Sequence, residues 1–440
     1  MATHIGQIGP ARDAALAALK AVRRGAALGD ALRSADRLTR HDRALVAQLV
    51  YGVLRHQRLL DAWFEPRVHG RLDADTRDIL RLAAFQLAFL DRVPAYAVVD
   101  AAVEQAKRER PRAAKLVNAV LRHLDAPPRD AATLGVRYSH PDWLVERWRR
   151  RYGEKLPAVL AHDNEVPPFT LRVNTRRITR QQALARLAAD GIAAEPSQYV
   201  PEAIKIRGAV WLEDLALFRE GLVSVQDESG MLVNWILDAR ANDRVVDLAV
   251  GVGGKALHVL EKTDGQVQLV GIDIARVRLE RFLENATRLG YQDRVEVVQM
   301  PAQDYAKTHP GAFDRAILDA PCSNLGVLRR RVDARWKRTP AELPRYQARQ
   351  KELLSAAYAL VRVGGTIVYS TCSTEPEETD EVVTWAKENL PQLVVDDVTP
   401  WLPHPAFVAY VHRGCLHLAP GDLDMDGFFI ARLTKMEGRG

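Results

Sequence analysis

The sequence predicts an α/β fold in which an open, mostly parallel sheet follows a small α/β unit and an all-α bundle. Three observations predict it: helical spacing of apolar residues over 10–125, mixed strand and helix patterns over 145–220, and strand–helix alternation from about residue 221. Such alternation indicates a sheet covered by helices on both faces. At roughly 150 residues per domain, the 440-residue chain suits about three domains. We place these domains at 1–130, 131–220 and 221–440.

The first segment is predicted to be helical throughout. Apolar residues such as Leu16, Leu19 and Val22 recur at the spacing of one helix face. The segment Val93–Tyr96 contains a proline that ends one helix and begins another. The prolines of Ala126–Pro128 then end the bundle.

The later elements follow from apolar runs and their spacing. In the middle unit we predict strands at 169–174 and 209–212 and helices at 143–151 and 181–189. In the last domain we predict strands at 244–248, 267–272, 295–299, 315–318, 366–370 and 428–433. The helices between them are predicted at 255–262, 275–289, 341–361 and 378–388.

Composition limits the class of protein. With 47% hydrophobic and 27% charged residues, the chain has enough apolar material for large cores. No apolar run approaches the roughly 20 residues that span a bilayer, and the first residues do not resemble a secretory signal. Three cysteines do not make a disulfide framework, so we expect a cytoplasmic protein with reduced thiols.

Positive charge is concentrated in the first segment. The net charge is +6, and residues 1–130 alone carry 22 Lys and Arg against 15 Asp and Glu, a net charge of +7. The remainder is close to neutral. This distribution favours a polyanion partner such as nucleic acid, with an ordinary Arg-rich surface as the alternative.

A glycine-containing turn follows the first strand of the last domain. Ala249–Lys255 includes Gly251, Gly253 and Gly254 and opens a helix. Asp273 ends the next strand, where an acidic side chain can bind both hydroxyls of a ribose. Together they predict a nucleoside-containing cofactor. The spacing matches neither a dinucleotide fingerprint nor a P-loop.

Two cysteines are predicted to lie at the ligand-binding edge of the sheet. Cys322 in Asp319–Ser323 and Cys372 in Tyr369–Ser373 each follow a predicted strand, and strand carboxyl ends face the ligand crevice. Cys415 is better explained as a packed core residue. The sequence predicts no metal site, because neither motif has zinc-ligand spacing.

Two thiols, a carboxylate and a nucleoside cofactor fit methylation of a pyrimidine. C5 of cytosine is a poor nucleophile until a thiolate adds at C6. A neighbouring carboxyl group can support the charge that develops at N3. The base must leave any stack to reach such a site.

The motifs resemble those of a known family. Asp319–Ser323, Tyr369–Ser373, Pro376–Glu378 and Asp426–Phe429 are similar to motifs of the RNA 5-methylcytosine methyltransferases, and Leu171–Asn174 and Val225–Asp227 are similar to their upstream motifs. Val93–Tyr96 and Leu116–Arg122 resemble the NusB-like RNA-binding bundle. The combination resembles the bacterial Sun/RsmB branch, which acts on 16S ribosomal RNA.

The resemblance implies a Rossmann-like S-adenosylmethionine-dependent methyltransferase domain and roles for particular residues. Cys372 would be the nucleophile and Cys322 would assist release of the RNA. Asp319 would contact the base and lie near the cofactor. The residues that would hold S-adenosylmethionine are Ala249, Val250, Gly251, Val252, Gly253, Gly254, Lys255, Asp273, Asp304 and Asp319. We expect a monomer, with no membrane partner, that meets 16S ribosomal RNA before the subunit is fully assembled.

The chain departs from the family pattern at several positions. Val252 stands where the family loop has proline. Either Asn324 stands where the family usually has glycine, or the motif is shifted. Pro301 occupies the place of a third carboxylate, with Asp304 as a nearby substitute. These changes leave open a non-catalytic RNA-binding or ribosome assembly factor on a degenerate methyltransferase fold. A transfer-RNA-directed enzyme of the same chemistry is the third hypothesis.

RNA contacts are predicted on basic residues. Arg329, Arg330 and Lys337 belong to a basic stretch that follows Cys322, where they would hold phosphates beside the reacting base. A solvated charged surface is the alternative. Arg172 is also predicted to contact RNA, and the arginines of 147–151 are a second candidate surface.

Overall fold

The computed structural model describes residues 8–91, 93–128, 133–208 and 210–438. The chain forms two compact units, which we describe separately. The first contains the described residues up to Glu165 together with Leu328–Lys337, and the second contains Val166–Val327 and the described residues from Arg338 onward. Within these ranges, no helix is both long enough and apolar enough to cross a membrane. The three domain boundaries drawn from the sequence stay a prediction.

The regular elements are numbered in chain order. The α-helices are α1 Ile8–Arg23, α2 Leu28–Leu32, α3 Arg40–Phe64, α4 Ala74–Phe89, α5 Ala95–Glu109, α6 Ala114–Arg122, α7 Leu134–Arg137, α8 Asp142–Tyr152, α9 Leu156–His162, α10 Arg180–Ala189, α11 Ala216–Arg219, α12 Glu228–Leu237, α13 Gly254–Lys262, α14 Arg276–Leu289, α15 Ala302–Thr308, α16 Ala334–Lys337, α17 Leu343–Leu360 and α18 Asp380–Asn389. The strands are β1 Phe169–Val173, β2 Ala194–Pro196, β3 Ala203–Ile206, β4 Val223–Val225, β5 Arg244–Asp247, β6 Gln268–Ile272, β7 Val295–Val298, β8 Phe313–Asp319, β9 Val361–Thr371, β10 Leu393–Asp396, β11 Val411–His412, β12 Cys415–Leu418 and β13 Phe428–Lys435.

The first unit is helical, as its apolar spacing predicts. Asp73 is the N-cap of helix α4. Its carboxylate accepts hydrogen bonds from the backbone amides of Asp75 and Thr76, two donors that have no partner within the helix. Leu49, Ile79 and other apolar side chains from α1 to α6 form one core. Burial of this shared face stabilises the helices together.

The second unit contains two sheets. The smaller sheet is antiparallel, with strand order β2-β3-β1-β4. In the larger sheet, β5 to β9 run parallel in the order β9-β8-β5-β6-β7. Strand β13 adds antiparallel to β9, and β12 and β10 pair with β13. This is the mostly parallel sheet that the strand–helix alternation predicts.

Some strand predictions are wrong or incomplete. The predicted strand at 209–212 is wrong for its described residues, because Leu212–Asp214 forms a turn of 3-10 helix; Ala209 lies outside the described residues. The strands β2, β3, β4, β10, β11 and β12 were not predicted. They are two to four residues long and give little alternation to detect.

Candidate active site

The two predicted thiols lie beside each other. Strands β8 and β9 pair with Asp319 opposite Ser370, so the loops after both strands leave the same edge of the sheet. The Sγ atoms of Cys322 and Cys372 are 3.0 Å apart, and both residues are free cysteines. Cys322 is buried, whereas Cys372 is partly exposed. The two thiols therefore lie together at one edge of the sheet, with Cys372 the more exposed of the pair.

Asn324 completes the surroundings of Cys372. Its backbone has a φ of 63°, a conformation that glycine and asparagine adopt more readily than other residues. The side-chain oxygen of Asn324 accepts a hydrogen bond from Cys372 Sγ at 3.3 Å, and its amide donates to the Cys322 carbonyl at 3.2 Å. The hydrogen bond with Cys322 and burial raise the pKa of the Cys372 thiol well above its usual value.

A close approach between backbones joins the two thiol loops to the start of β13. Gly326 donates its amide to the Cys372 carbonyl at 2.9 Å and accepts from the Gly427 amide at 2.8 Å. A Cβ on Gly326 would lie 2.4 Å from the Gly427 oxygen. The glycine is therefore required by space, and it gives the Asp426–Phe429 motif a structural reason.

Asp319 and Lys255 form an ion pair near the thiols. Lys255 Nζ lies 2.6 Å from Asp319 Oδ2, and Ser370 Oγ donates to Asp319 Oδ1 at 3.1 Å. Burial opposes the charge of Lys255, but the Asp319 carboxylate raises the pKa of the lysine above its usual value. The site thus holds a protonated lysine and a carboxylate together.

The glycine turn and Asp273 form one structure at the ends of β5 and β6. Asp273, whose side chain is 5% exposed, accepts hydrogen bonds from the amides of Gly251 at 3.2 Å and Ala275 at 2.8 Å. Gly253 has a φ of 86°, and a Cβ there would lie 2.3 Å from the Phe282 ring. The turn is therefore held by the predicted carboxylate.

These residues fit a nucleoside cofactor. Among the described residues, chain neighbours aside, a Cβ on Gly251 would meet only the Ala249 oxygen, at 3.9 Å, and a Cβ on Gly254 would meet nothing within 4 Å, so a ligand can approach the backbone there. Val252 and Ile274, in the loops after β5 and β6, are exposed apolar side chains that can cover a base. The Asp273 carboxylate has lone pairs left for ribose hydroxyls.

Two other carboxylates at this end of the sheet differ in their surroundings. Asp304 lies on the surface of α15 and pairs with Lys307 at 2.7 Å, so its contact with a cofactor stays a prediction. Asp247, at the end of β5, was not predicted as a site residue. Burial raises its pKa to about 7, and the Ala249 amide that donates to it acts in the opposite direction.

Arg172 does not offer its side chain to RNA. The residue is 1% exposed, and its guanidinium makes two hydrogen bonds of 2.7 Å to the Glu261 carboxylate. It also donates to Gln226 and to the Gly254 carbonyl. A guanidinium enclosed in this way has no face for a phosphate, so the predicted RNA contact of Arg172 is not supported.

The basic stretch after Cys322 is also largely used inside the protein. Arg329 is 2% exposed, and Lys337 Nζ donates to the Ala26 carbonyl at 2.7 Å and pairs with Asp333. Arg335, in the same segment, is fully buried. Contacts of Arg329 and Lys337 with RNA are therefore not supported, whereas Arg330 is partly exposed.

Glu378 belongs to the Pro376–Glu378 motif, but the sequence does not predict its contacts with the cysteine loops. Its carboxylate is fully buried and accepts hydrogen bonds from Ser323 and Ser373, the residues that follow the two cysteines. The Pro-Glu-Glu pattern was a signal for this residue. Its partners could not be read from the sequence, since Ser323 lies 55 positions away.

A parallel-sheet domain with a nucleoside-binding turn beside two thiols defines an α/β methyltransferase class. Family models agree: the model described as 16S rRNA methyltransferase RsmB/F matches residues 234–434. The NusB family model matches 9–126, and a RsmF/B-like ferredoxin-like domain matches 140–213. The predicted fold class is thereby confirmed.

Whole-chain comparisons extend this result. The Vibrio cholerae ribosomal RNA small subunit methyltransferase B is 33% identical over 99% of this chain and 100% of that protein. The Pseudomonas putida protein of the same name is 38% identical, over 84% of this chain and 87% of that protein. The chain belongs to the family of ribosomal RNA small subunit methyltransferase B proteins. The crystal structure of PH0851, 23% identical, shares the fold with a TM-score of 0.83 over 99% of this chain and 100% of its own.

Proposed function

We propose that the protein transfers a methyl group from S-adenosylmethionine to C5 of a specific cytosine in 16S ribosomal RNA. The observation that carries this proposal is the pair of thiols 3.0 Å apart at the ligand-binding edge of the sheet. A single nucleophilic cysteine would explain only attack on the base. A second thiol in contact with the first supports a reaction in which a covalent bond is formed and later released.

The proposed chemistry assigns one step to each thiol. Cys372, the partly exposed thiol, loses its proton and adds to C6, so that C5 becomes nucleophilic. After methylation, loss of the C5 proton restores the double bond and expels the Cys372 sulfur. Cys322 assists this release. Because the pKa of Cys372 is raised, deprotonation is a step that the site must promote.

Lys255 and Asp319 are proposed to support the charge that develops on the base. The ammonium group uses one N–H bond on Asp319 and retains two donors. A donor beside the thiols can stabilise negative charge at N3 as the C6 bond forms. Asp319 keeps the lysine charged and orients it.

The cofactor would be held by the glycine turn and Asp273. S-adenosylmethionine supplies an electrophilic methyl group when bound. Gly251 and Gly254 allow its close approach, and Asp273 accepts from its ribose hydroxyls. A contact between Asp304 and the cofactor stays a prediction. The exposed ion pair of Asp304 with Lys307 does not support it.

We further propose that the protein is a cytoplasmic monomer that acts before the small subunit is fully assembled. The names of its relatives support ribosomal RNA as the substrate. Arg330 and the exposed arginines of α8, Arg149, Arg150 and Arg151, are the proposed phosphate contacts. Size-exclusion chromatography with light scattering tests the monomer, and comparison of free RNA with assembly intermediates tests the substrate.

Two experiments test the enzymatic function. Titration calorimetry should detect binding of S-adenosylmethionine, and absence of binding would contradict the proposal. Bisulfite sequencing of 16S ribosomal RNA from a deletion strain should reveal one cytosine that has lost its methyl group. Complementation with the wild-type gene should restore that methyl group.

The roles of the thiols are tested by trapping. Cys322→Ala should accumulate an RNA–protein adduct that survives denaturing electrophoresis, because attack proceeds while release fails. Cys372→Ser should abolish both methyl transfer and the adduct, since a hydroxyl is a far weaker nucleophile than a thiolate. The double variant is the matched control. An adduct that forms without Cys372 would show that the roles are assigned wrongly.

A further inference from the structure

One buried carboxylate is hydrogen-bonded to both cysteine loops, the segments that follow β8 and β9 and contain Cys322 and Cys372. Glu378 Oε2 accepts from the Ser323 amide at 2.9 Å, and Oε1 accepts from the hydroxyl groups of Ser323 and Ser373, the latter at 2.6 Å. Ser323 follows Cys322 directly, and Ser373 follows Cys372. The same carboxyl group therefore holds the residue next to each thiol.

A fourth hydrogen bond ties this centre to helix α17. Gln350 Nε2 donates to Glu378 Oε2 at 2.9 Å and to the Pro321 carbonyl at 3.0 Å. Tyr369, from β9, donates its hydroxyl to the backbone carbonyl of Glu378 at 2.7 Å. Helix α17 and strand β9 thus hold Glu378 in addition to its hydrogen bonds with the two loops.

The energetics favour a rigid arrangement. Glu378 and its partners Ser323, Ser373 and Gln350 are all fully buried. A carboxyl group in such a place is costly unless its oxygens are hydrogen-bonded, and removal of one partner leaves the others unsatisfied. A buried network in which both oxygens of the Glu378 carboxylate are hydrogen-bonded restricts the groups that donate to it to one geometry.

The strands alone do not hold the thiols together. The pairing of β8 with β9 ends at Asp319 and Ser370, before either cysteine. Beyond that point, the loops are joined by the Gly326 amide on the Cys372 carbonyl, by a 3.1 Å hydrogen bond between the hydroxyl groups of Ser323 and Ser373, and by Glu378. Glu378 accepts from both of these serines and therefore holds the contact between them in place.

We propose that Glu378 is a positioning residue that sets the distance between Cys322 and Cys372. It does not touch the reacting atoms. Its effect on the rate of methyl transfer rests on the proposed function, whereas its effect on the distance between the thiols does not. The two effects are therefore tested separately.

Glu378→Gln is the most informative variant. The glutamine keeps one oxygen for the two serine hydroxyls, but its NH₂ group faces the Ser323 amide and the Gln350 side chain, which are both donors. Glu377→Gln is the matched control, since it makes the same change at the neighbouring position and keeps the Glu378 carboxylate that accepts from Ser323 and Ser373.

The first measurement is the rate at which diamide, which takes up the two hydrogen atoms, oxidises Cys322 and Cys372 to a disulfide. The wild-type protein and Glu377→Gln should cross-link at the same rate, because the sulfurs are already adjacent. Glu378→Gln should cross-link at least about tenfold more slowly. A tenfold slower rate corresponds to an activation free energy that is about 1.4 kcal/mol higher. Cross-linking of Glu378→Gln at the wild-type rate would overturn the proposal.

The second measurement is steady-state methyl transfer. Glu378→Gln should lower kcat at least about tenfold while KM for RNA and the affinity for S-adenosylmethionine stay at wild-type values. A variant that has lost kcat, KM and cofactor affinity together would indicate general damage and contradict a positioning role. If the wild-type protein transfers no methyl group, the proposed function fails while the cross-linking rates still decide the position of the thiols.

Ser373→Ala keeps the proposal testable if Glu378→Gln does not fold. It removes the Ser373 hydroxyl, which donates to Glu378 and also bonds the Ser323 hydroxyl and the Glu375 amide, and it leaves the other three hydrogen bonds to the Glu378 carboxylate in place. It should slow cross-linking by a smaller factor than Glu378→Gln. An unchanged cross-linking rate in folded Ser373→Ala would contradict the proposal.

Discussion

Arg172 offers a test of whether this chain uses a basic residue for RNA or for its own stability. The sequence predicts an RNA contact, but the structure encloses the guanidinium against Glu261, Gln226 and the Gly254 carbonyl. We therefore expect Arg172→Met to destabilise the protein. The cause is the Glu261 carboxylate, 3% exposed, which would remain buried without a cation.

The magnitude follows from the contacts. Breaking a buried ion pair by removing one partner costs about 3–5 kcal/mol, because an uncompensated charge remains. The Gly254 carbonyl also loses a donor, at a cost of about 1 kcal/mol. With a urea dependence of about 3 kcal/mol per M, the unfolding midpoint should fall by about 1–2 M. Removing both charges in Arg172→Met with Glu261→Leu should recover much of this loss.

The assay is urea unfolding followed by circular dichroism, combined with RNA binding at several salt concentrations. Arg186→Met is the matched control, because its ion pair with Glu220 is exposed and should leave the midpoint nearly unchanged. The reasoning is refuted if Arg172→Met unfolds at the wild-type midpoint while its RNA affinity and its salt dependence both decrease. That result would return Arg172 to the RNA interface.

Four further predictions concern single residues. Burial raises the pKa of Asp247 to about 7, above its unfolded value, so its stabilising contribution is present at low pH and is lost as pH rises through 7. Between pH 5 and 8 the wild-type protein should lose about 3 kcal/mol of unfolding free energy through Asp247, and Asp247→Asn should not show this loss. Equal pH dependence of stability in both proteins would contradict this. Asn324→Gly should fold normally but slow methyl transfer, because the acceptor of the Cys372 hydrogen bond is lost; full activity would show that this bond is dispensable. Alkylation of Cys372 should accelerate as pH rises, and Cys322→Ala should move that rise to lower pH because the hydrogen bond with Cys322 is a main cause of the raised pKa of Cys372; an unmoved profile would argue against this. Arg335→Met should lower the thermal midpoint of the protein by several degrees, since this fully buried side chain donates to the carbonyls of 55, 139 and 163; an unchanged midpoint would be inconsistent with its enclosure.

The elements predicted well are those with strong local patterns. Helices α13 and α14 and strands β5 to β8 lie within a few residues of their predicted places, because apolar spacing is a property of neighbouring residues. The thiol site was also predictable in part. A cysteine that follows a strand of a parallel sheet is placed at the ligand edge by the topology itself.

The sequence by itself determined the class of fold, the position of both thiols at strand ends, and the glycine turn with Asp273. Only the tertiary structure decided which charged residues are buried, because their partners lie far away in the chain. Arg172 and Arg335 look like surface cations in the sequence, yet each is enclosed by acceptors 54 to 280 residues away. Glu378 likewise gains its meaning from Ser323, 55 residues earlier. The physical reason is that local periodicity encodes which face is apolar, whereas burial of a charge depends on partners that only folding brings together.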